Sequence, residues 1–224
     1  MNPHPDQWYG CKSYSQYGED LVFLNIFKLI GIKKISWLDI GAHHPFNISN
    51  TALLYEQGHR GINVEANPFL IPEFKIHRPE DTNLQVGVSD KPGFMDFYFI
   101  DQYSGRNSFS NHSVITFVKE NPQFKITQTI KIPVITVTDV LEQCSITKFP
   151  DLLSLDVEGL DEKIILTLDL KENGPAIICV EDNDRRENTA SPLRQHLAAQ
   201  GYFPYYRAGV NILFVRKEYA SLLT

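Results

Sequence analysis

Two short apolar segments, each ending in a carboxylate, constrain the fold of this chain more than any other feature. The first covers residues 35–42 and contains Asp39, and the second covers residues 61–67 and contains Glu65. Because a helix-length stretch, 51–57, lies between them, the three segments predict a β-α-β unit. Ligands of open parallel sheets bind beyond the carboxyl ends of the strands, where an acid on the second strand can accept ribose hydroxyls. The pattern therefore predicts a site for a nucleoside-bearing ligand.

Length and composition predict one globular α/β domain. The chain has 224 residues, of which 42% are hydrophobic and 21% are charged, as is typical of globular proteins. We expect residues 14–224 to form a single domain and residues 1–13, which are polar and contain two prolines, to form a flexible arm. The formal net charge is −6 and no basic stripe is visible, which argues against nucleic-acid binding.

Cysteine usage and hydropathy predict the cellular setting. Cys11, Cys144 and Cys179 are far apart and form no CxxC pair, which indicates reduced thiols in a cytoplasmic protein. The N-terminal sequence lacks the charged and apolar regions of a secretory signal. No apolar run approaches the roughly 18 residues of a membrane-spanning helix, so we expect no membrane insertion.

Apolar runs alternate with helix-like stretches along the rest of the chain. The further strands are predicted at 84–88, 94–100, 129–136, 151–159, 176–183, 202–207 and 211–215. The further helices are predicted at 21–31, from Pro68, at 137–143, at about 160–170 and at 192–199, and residues 101–113 are predicted to be a loop. This order predicts a doubly wound, mostly parallel sheet that ends in an antiparallel hairpin.

Acidic residues stand at the ends of four predicted parallel strands. They are Asp39, Glu65, the pair Asp156 and Glu158, and the pair Glu181 and Asp182. Turns favour aspartate, so one acid in such a place has little meaning. Acids at the ends of all four strands indicate a site, because the carboxyl ends of parallel strands meet at one edge of the sheet.

The turn after the first strand, 39–45, reads DIGAHHP. It lacks the GxGxxG pattern that lets a diphosphate approach a helix N-terminus. A nucleoside ligand with an amino-acid tail and no phosphate, such as S-adenosyl-L-methionine, suits this turn better. Gly41 would allow close approach of the backbone to the tail, and Glu65 would hold the ribose. The alternative for Glu65 is that it simply begins a turn before Asn67 and Pro68.

Several motifs together resemble the FkbM family of S-adenosylmethionine-dependent methyltransferases, over about residues 13–216. They are SQYGED at 15–20, LDIGA at 38–42, SNT at 49–51, RGINVEANP at 60–68, LDVEG at 155–159 and VE at 180–181. The resemblance implies a Rossmann-like class I methyltransferase fold with a seven-stranded sheet. It also implies O-methylation of a hydroxyl on a sugar, a glycan or a related natural product.

The resemblance implies roles for individual residues. Cofactor binding is implied for Asp39, Gly41, Ala42, Glu65, Ala66, Asn67, Tyr17, Glu19 and Asp156. Topology adds Ser89 and Asp90, at the end of the third strand, as the lining of an adenine pocket. The alternative for Glu19 and Asp20 is complementation of a helix dipole, which acids in a first helical turn provide. His43 and His44 stand where more usual methyltransferases have glycines.

Methyl transfer to a hydroxyl requires alignment of the reacting atoms and removal of a proton. The candidate bases are Asp156, Glu158, His43 and His44. A second route is a metal ion, because Asp156 with Glu181 and Asp182 resembles the carboxylate set that binds Mg²⁺ in some small-molecule O-methyltransferases. The alternative is that these acids bind substrate hydroxyls or cap helices.

A small-molecule or glycan acceptor is the partner that this interpretation requires. The polar segment 102–113 is the leading candidate to bind it, although a simple surface loop explains the segment equally well. Three other functions compete: methylation of a nitrogen acceptor, NAD-dependent oxidoreduction, and a non-catalytic nucleoside-binding module. The missing GxGxxG pattern counts against the oxidoreductase. The sequence predicts no particular oligomeric state.

Overall fold

The structure, a computed structural model, describes residues 12–182 and 191–223. The strands are β1 (Trp37–Ile40), β2 (Ile62–Glu65), β3 (Thr82–Gln85), β4 (Gly87–Val88), β5 (Gly93–Phe99), β6 (Gln128–Ile135), β7 (Leu152–Leu155), β8 (Ile177–Glu181), β9 (Tyr202–Ala208) and β10 (Asn211–Arg216). Seven of them form the main sheet in the order β3-β2-β1-β7-β8-β10-β9. The first five of that order are parallel, and β10 is antiparallel to both β8 and β9. The predicted doubly wound sheet with a C-terminal antiparallel hairpin is confirmed.

The described residues also form seven α-helices and one 3-10 helix. They are α1 (Glu19–Ile30), α2 (Ala52–Glu56), α3 (Ile71–His77), α4 (Asn111–Glu120), α5 (Val137–Gln143), α6 (Asp161–Ile165), α7 (Pro192–Ala199) and a 3-10 helix (Lys217–Leu222). Successive strand residues point to opposite faces. Trp37 accordingly belongs to one buried cluster with Phe23 of α1, and Leu38 belongs to another with Ile164 of α6 and Leu197 of α7.

A second sheet, of order β4-β6-β5, is formed by residues between 87 and 135. The prediction of one strand over 84–88 is wrong, because β3 belongs to the main sheet and β4 to the second. The backbone at Gly87 packs so closely that an added Cβ would lie 2.4 Å from the ring of Phe109 and 2.8 Å from Val134. This glycine therefore lets the chain pass from one sheet to the other.

The predicted loop at 101–113 is also corrected, because α4 begins at Asn111. Ser110 caps this helix, since its hydroxyl accepts a hydrogen bond from the backbone N–H of Ser113 at 3.2 Å. The helix expected at about 160–170 is shorter and ends at Ile165. The helices predicted at 137–143 and 192–199 are confirmed.

The predicted arm, 1–13, falls mostly outside the described residues, and so does Cys11. Ser13, which is described, donates a hydrogen bond from its hydroxyl to Asp20 at 2.7 Å. Cys144 and Cys179 are free thiols. Among residues 12–182 and 191–223, every helix is too short or too polar to cross a membrane.

Candidate active site

A cavity of about 250 Å³ lies at the carboxyl ends of β1, β2 and β7. Its wall contains these residues predicted from the sequence: Asp39, Gly41, Ala42, His43, Glu65, Ala66, Asn67, Asp156 and Glu158. The fold brings the acids of three neighbouring strands to one place because those strands are parallel and share one edge of the sheet.

Glu65 ends β2 and is only 7% exposed. One carboxylate oxygen accepts a hydrogen bond from the backbone N–H of His43, and the other accepts one from that of Asn67, both at 2.7 Å. Burial raises the pKa of Glu65 to about 7, and these hydrogen bonds oppose the rise. Each oxygen keeps a further lone pair. The side chain therefore joins two loops of the wall and still has acceptor capacity for ligand hydroxyls.

Gly41 forms the turn after β1 with a φ of +76°. An added Cβ would lie 1.7 Å from the carbonyl oxygen of Asp156, a distance that no real contact reaches. The N–H groups of Gly41 and Ala42 both donate to the carbonyl of Val64, at 2.9 and 3.2 Å. The turn is thus held between β2 and the segment after β7, and only glycine fits there.

Three non-glycine residues of the cavity wall have a left-handed backbone. Their φ angles are 54° at His43, 55° at Ile48 and 53° at Glu158. Ser145 is the remaining non-glycine residue of this kind in the described part of the chain, and it lies elsewhere. Such conformations cost about 1–2 kcal/mol each and are concentrated at functional sites.

Asp156 follows β7 and lies in the cavity wall among other acids. Burial raises its pKa well above the ordinary value, and repulsion from Asp161, Glu158 and Glu181 raises it further. The charge of Arg106 opposes this rise. A carboxylate with a raised pKa is a stronger base than an ordinary one, so ionised Asp156 is suited to accept a proton from a bound hydroxyl.

Asp161, the first residue of α6, shapes the turn that carries Asp156. Its carboxylate accepts hydrogen bonds from the backbone N–H groups of Val157 at 3.2 Å and Gly159 at 3.1 Å. Burial and then the charge of Glu181 raise the pKa of Asp161 to about 7. This acid supports the turn and is not part of the cavity wall.

Glu158 is paired with Arg106, which the sequence did not single out. One terminal nitrogen of Arg106 donates to both carboxylate oxygens of Glu158 at 3.0 Å. The hydroxyl of Ser108 donates to the Glu158 carbonyl at 2.8 Å. Burial raises the pKa of Glu158, and Arg106 opposes the rise. These contacts hold the segment 101–110 against the turn after β7, and they leave Glu158 less available as a base than Asp156.

The two histidines have different positions. His43 lies in the cavity wall, where burial and then the charge of His44 lower its pKa, so its neutral imidazole can accept a proton. His44 is outside the wall, and its Nδ1 accepts hydrogen bonds from the backbone N–H groups of Phe46 and Asn47 at 3.1 and 3.0 Å. Of the two histidines, only His43 therefore lines the cavity.

The N-terminal motif lies next to the cavity, with only Gln16 in its wall. Glu19 is fully buried, and its carboxylate accepts hydrogen bonds from the side-chain amide of Asn211 at 2.8 Å and from the backbone N–H of Tyr17 at 2.9 Å. The ring of Tyr17 packs against Gly209. Tyr17 and Glu19 thus attach the start of α1 to the C-terminal hairpin and do not line the cavity.

Ser89 and Asp90 are not in the cavity wall either. Ser89 is buried and donates its hydroxyl hydrogen bond to Asp90 at 2.9 Å. The residues of this region that do line the cavity are 86–88. β3 ends at Gln85, three residues before the predicted end at Val88, because the chain changes sheets at Gly87.

The acids proposed for a metal ion are not gathered into a metal site. Within the described residues there is no group of three or more His, Cys, Asp or Glu side chains that could hold a metal. The carboxylate of Asp182 accepts a hydrogen bond from Nε of Arg194 at 2.6 Å, and neither Glu181 nor Asp182 lines the cavity. The structure gives no support to the Mg²⁺ alternative.

The apolar part of the wall escaped the sequence analysis. Phe97 and Phe109 line the cavity with Val86 and Val88, and the two rings meet edge to face with centroids 4.7 Å apart. The segment containing Phe97 was predicted only as a strand, at 94–100, with no role in the site. No local pattern marked Phe109, which lies in the irregular segment between β5 and α4.

A family model matches most of this chain. The family model described as the methyltransferase FkbM domain matches residues 39–204, about three quarters of the chain. A solved structure, a TehB-like SAM-dependent methyltransferase from Corynebacterium glutamicum ATCC 13032 Kitasato, is similar with 13% identity and a TM-score of 0.43. That similarity covers 91% of this chain and 89% of the other. A comparison with curated proteins gives no match. On the family match, which includes the turn after β1 and the acids after β2 and β7, the chain belongs to the FkbM methyltransferase family.

Proposed function

We propose that this protein is an S-adenosylmethionine-dependent O-methyltransferase that acts on a hydroxyl of a sugar, a glycan or a related natural product. The observation that carries the proposal is the position of buried Glu65 in a cavity at the carboxyl ends of β1, β2 and β7. The turn at Gly41 has no glycine-rich phosphate-binding pattern. The cavity thus offers an acceptor for ribose hydroxyls and no cradle for a diphosphate.

The charged side chains of the cavity fit S-adenosylmethionine. Four acids line it, Asp39, Glu65, Asp156 and Glu158, against one arginine, Arg106. An excess of carboxylates favours a ligand that carries sulfonium and ammonium charges and disfavours one that carries phosphates.

The apolar side of the cavity supplies the rest of the fit. Phe97, Phe109, Val86 and Val88 form a wall against which an adenine ring can pack. We assign the ribose to Glu65 and the amino-acid tail to Asp39 and the backbone at Gly41. When bound, S-adenosylmethionine supplies the methyl group from its sulfonium.

Asp156 is the residue that we assign to remove the acceptor proton. Its carboxylate would take the proton from the hydroxyl as the oxygen becomes a nucleophile. The neighbouring acids favour protonation of Asp156, since adding a proton removes one of the crowded negative charges. Neutral His43 is the second candidate for this role. Residues 104–107, which line the cavity, are assigned to the acceptor.

The cofactor assignment is tested by calorimetric titration with S-adenosylhomocysteine, with NAD as the competing ligand. We expect S-adenosylhomocysteine to bind and NAD not to bind. Replacement of Glu65 by glutamine should weaken it by roughly 1–3 kcal/mol, or about 5- to 150-fold, because one acceptor oxygen becomes a donor group. Exposed Glu142, replaced in the same way, is the matched control and should leave the affinity unchanged. Equal affinities of the Glu65 variant and the wild type would refute the ribose assignment.

The acceptor assignment is tested separately by transfer of a labelled methyl group. Purified protein is incubated with methyl-labelled S-adenosylmethionine and panels of neutral sugars, glycans and hydroxylated natural products, beside amines and amides of similar size. Labelled ethers are expected from the hydroxyl panel. Label that enters only the nitrogen panel would replace the O-methyltransferase with an N-methyltransferase, and no label in any panel would favour a binding module.

A further inference from the structure

A buried arginine lies behind the cavity wall and has no part in the chemistry described so far. Arg78 is fully buried, and its guanidinium lies 5.2–5.4 Å from the ring centroids of Trp37, Tyr55 and Phe74. Its Nε donates to Asp81 at 2.8 Å. An arginine is removed from water at a large cost, so its position between three rings and a carboxylate indicates a definite role.

The guanidinium of Arg78 is linked to the cavity wall through one hydroxyl, that of Thr51. Both terminal nitrogens of Arg78 donate to the hydroxyl oxygen of Thr51 at 3.1 Å, and one also donates to Asn63 at 3.0 Å. The hydroxyl of Thr51 in turn donates to the carboxylate of Asp39 at 2.7 Å. Asp39 is part of the cavity wall, whereas Thr51 and Arg78 are not.

The hydrogen-bonding capacity of threonine makes this chain directional. A hydroxyl has one hydrogen to donate and two lone pairs that accept. The two N–H groups of Arg78 take both lone pairs of Thr51, so its single hydrogen can go only to Asp39. The arginine therefore fixes the direction of the hydroxyl, and the hydroxyl fixes one oxygen of the carboxylate.

We propose that Arg78, acting through Thr51, is a positioning residue that holds the Asp39 carboxylate in its ligand-binding orientation. This inference rests on the proposed function, in which Asp39 holds the amino-acid tail of the cofactor. Arg78 does not line the cavity, so its effect reaches the site only through the threonine and through its charge.

The electrostatics of Asp39 agree with this role. Burial raises its pKa, while the hydrogen bond from Thr51, the charge of Arg78 and a hydrogen bond from Ser154 lower it. The titratable or charged groups that face Asp39 are Arg78, Asp81, Glu65 and the buried thiol of Cys179. Of these only Arg78 is positive. Removal of the relay should therefore let the Asp39 carboxyl take up a proton at a higher pH than in the wild type.

The relay is tested with Thr51→Val, which keeps the shape of the side chain and removes the hydroxyl, and with Thr51→Ser, which restores it. Thr136→Val is the matched control, because Thr136 caps α5 far from Asp39 in sequence and lies outside the cavity wall. Two measurements are made on the full chain: calorimetric affinity for S-adenosylhomocysteine from pH 6 to pH 8, and titration of the Asp39 carboxyl by carbon-13 NMR.

Thr51→Val should bind about tenfold more weakly, as expected when the supporting partner of a ligand-binding group is lost, and its deficit relative to the wild type should grow as the pH falls. Its Asp39 should titrate at a higher pH, and Thr51→Ser should restore both properties. Thr136→Val should lower only the melting temperature. Arg78→Lys, which keeps the charge and loses the planar fork, should weaken binding in the same direction as Thr51→Val.

Unchanged Asp39 titration and unchanged pH dependence in Thr51→Val would overturn the inference. If the Asp39 titration and the affinity were unchanged in Arg78→Lys alone, the positioning role of Arg78 would be refuted and only Thr51 would keep it. The NMR titration needs no ligand, so it decides the inference even if the wild type fails to bind S-adenosylhomocysteine. That failure would instead refute the proposed function.

Discussion

Replacement of Gly41 by alanine should damage the protein in two separable ways. Its φ of +76° is unfavourable for alanine by about 1–2 kcal/mol. The new methyl group would also lie 1.7 Å from the carbonyl oxygen of Asp156. Because that oxygen is backbone, relief requires movement of the turn after β7, and overpacking of this kind costs about 1–3 kcal/mol. The total loss should be about 2–5 kcal/mol.

Gly58→Ala is the matched control for this prediction. Gly58 has a φ of +88°, and nothing lies within 4 Å of its missing Cβ, so alanine there meets the backbone cost alone, about 1–2 kcal/mol. Urea denaturation of both variants measures the difference, which should be about 1–3 kcal/mol. Affinity for S-adenosylhomocysteine should fall only in Gly41→Ala. Equal destabilisation of the two variants would refute the close contact with Asp156.

Two other predictions concern the acids of the site. Burial raises the pKa of Glu65 from 4.5 to about 7, so the folded state binds more protons than the unfolded state in this interval, and the free energy of unfolding should fall as the pH rises from 4.5 to 7. This one carboxyl should account for a fall of about 3 kcal/mol in the free energy of unfolding. Glu65→Gln should lack this decline. A urea midpoint with the same pH dependence in the variant and the wild type would contradict the burial argument. Asp156→Asn should lower kcat by about 100-fold or more with little effect on S-adenosylhomocysteine affinity, and an equal loss of both would make Asp156 a binding residue.

The sequence predicted the central strands of the main sheet well because each of them carries its own signal. The segments 37–40 and 62–65 are buried at every position, as expected of central parallel strands. The helices at 137–143 and 192–199 have side-chain caps at Thr136 and Ser191, so their boundaries were also readable. These features are local, and local patterns are what a single sequence shows.

The second sheet and half of the cavity could not be predicted in this way. The division at Gly87 depends on Phe109, which lies 22 positions later in the chain. The ion pair of Arg106 with Glu158 joins residues 52 positions apart. Neither contact leaves a periodic pattern, so the sequence identified the segment 102–113 without identifying the side chains that act there.

The two parts of the cavity differ in how they are held. Asp39 and Glu65 lie on or at the end of central strands, and both carboxylates are fixed by hydrogen bonds from neighbouring groups. Arg106 is half exposed and belongs to a segment without helix or strand. A rigid part suits a cofactor, which is the same in every turnover. A loop segment can change in sequence without disturbing the sheet, so it suits an acceptor that differs between enzymes. In the proposed function, the rigid strand ends hold the cofactor and the segment 101–110 selects the acceptor. The strand ends carry a sequence signal and the segment does not, which is why only the first part of the site was predicted residue by residue.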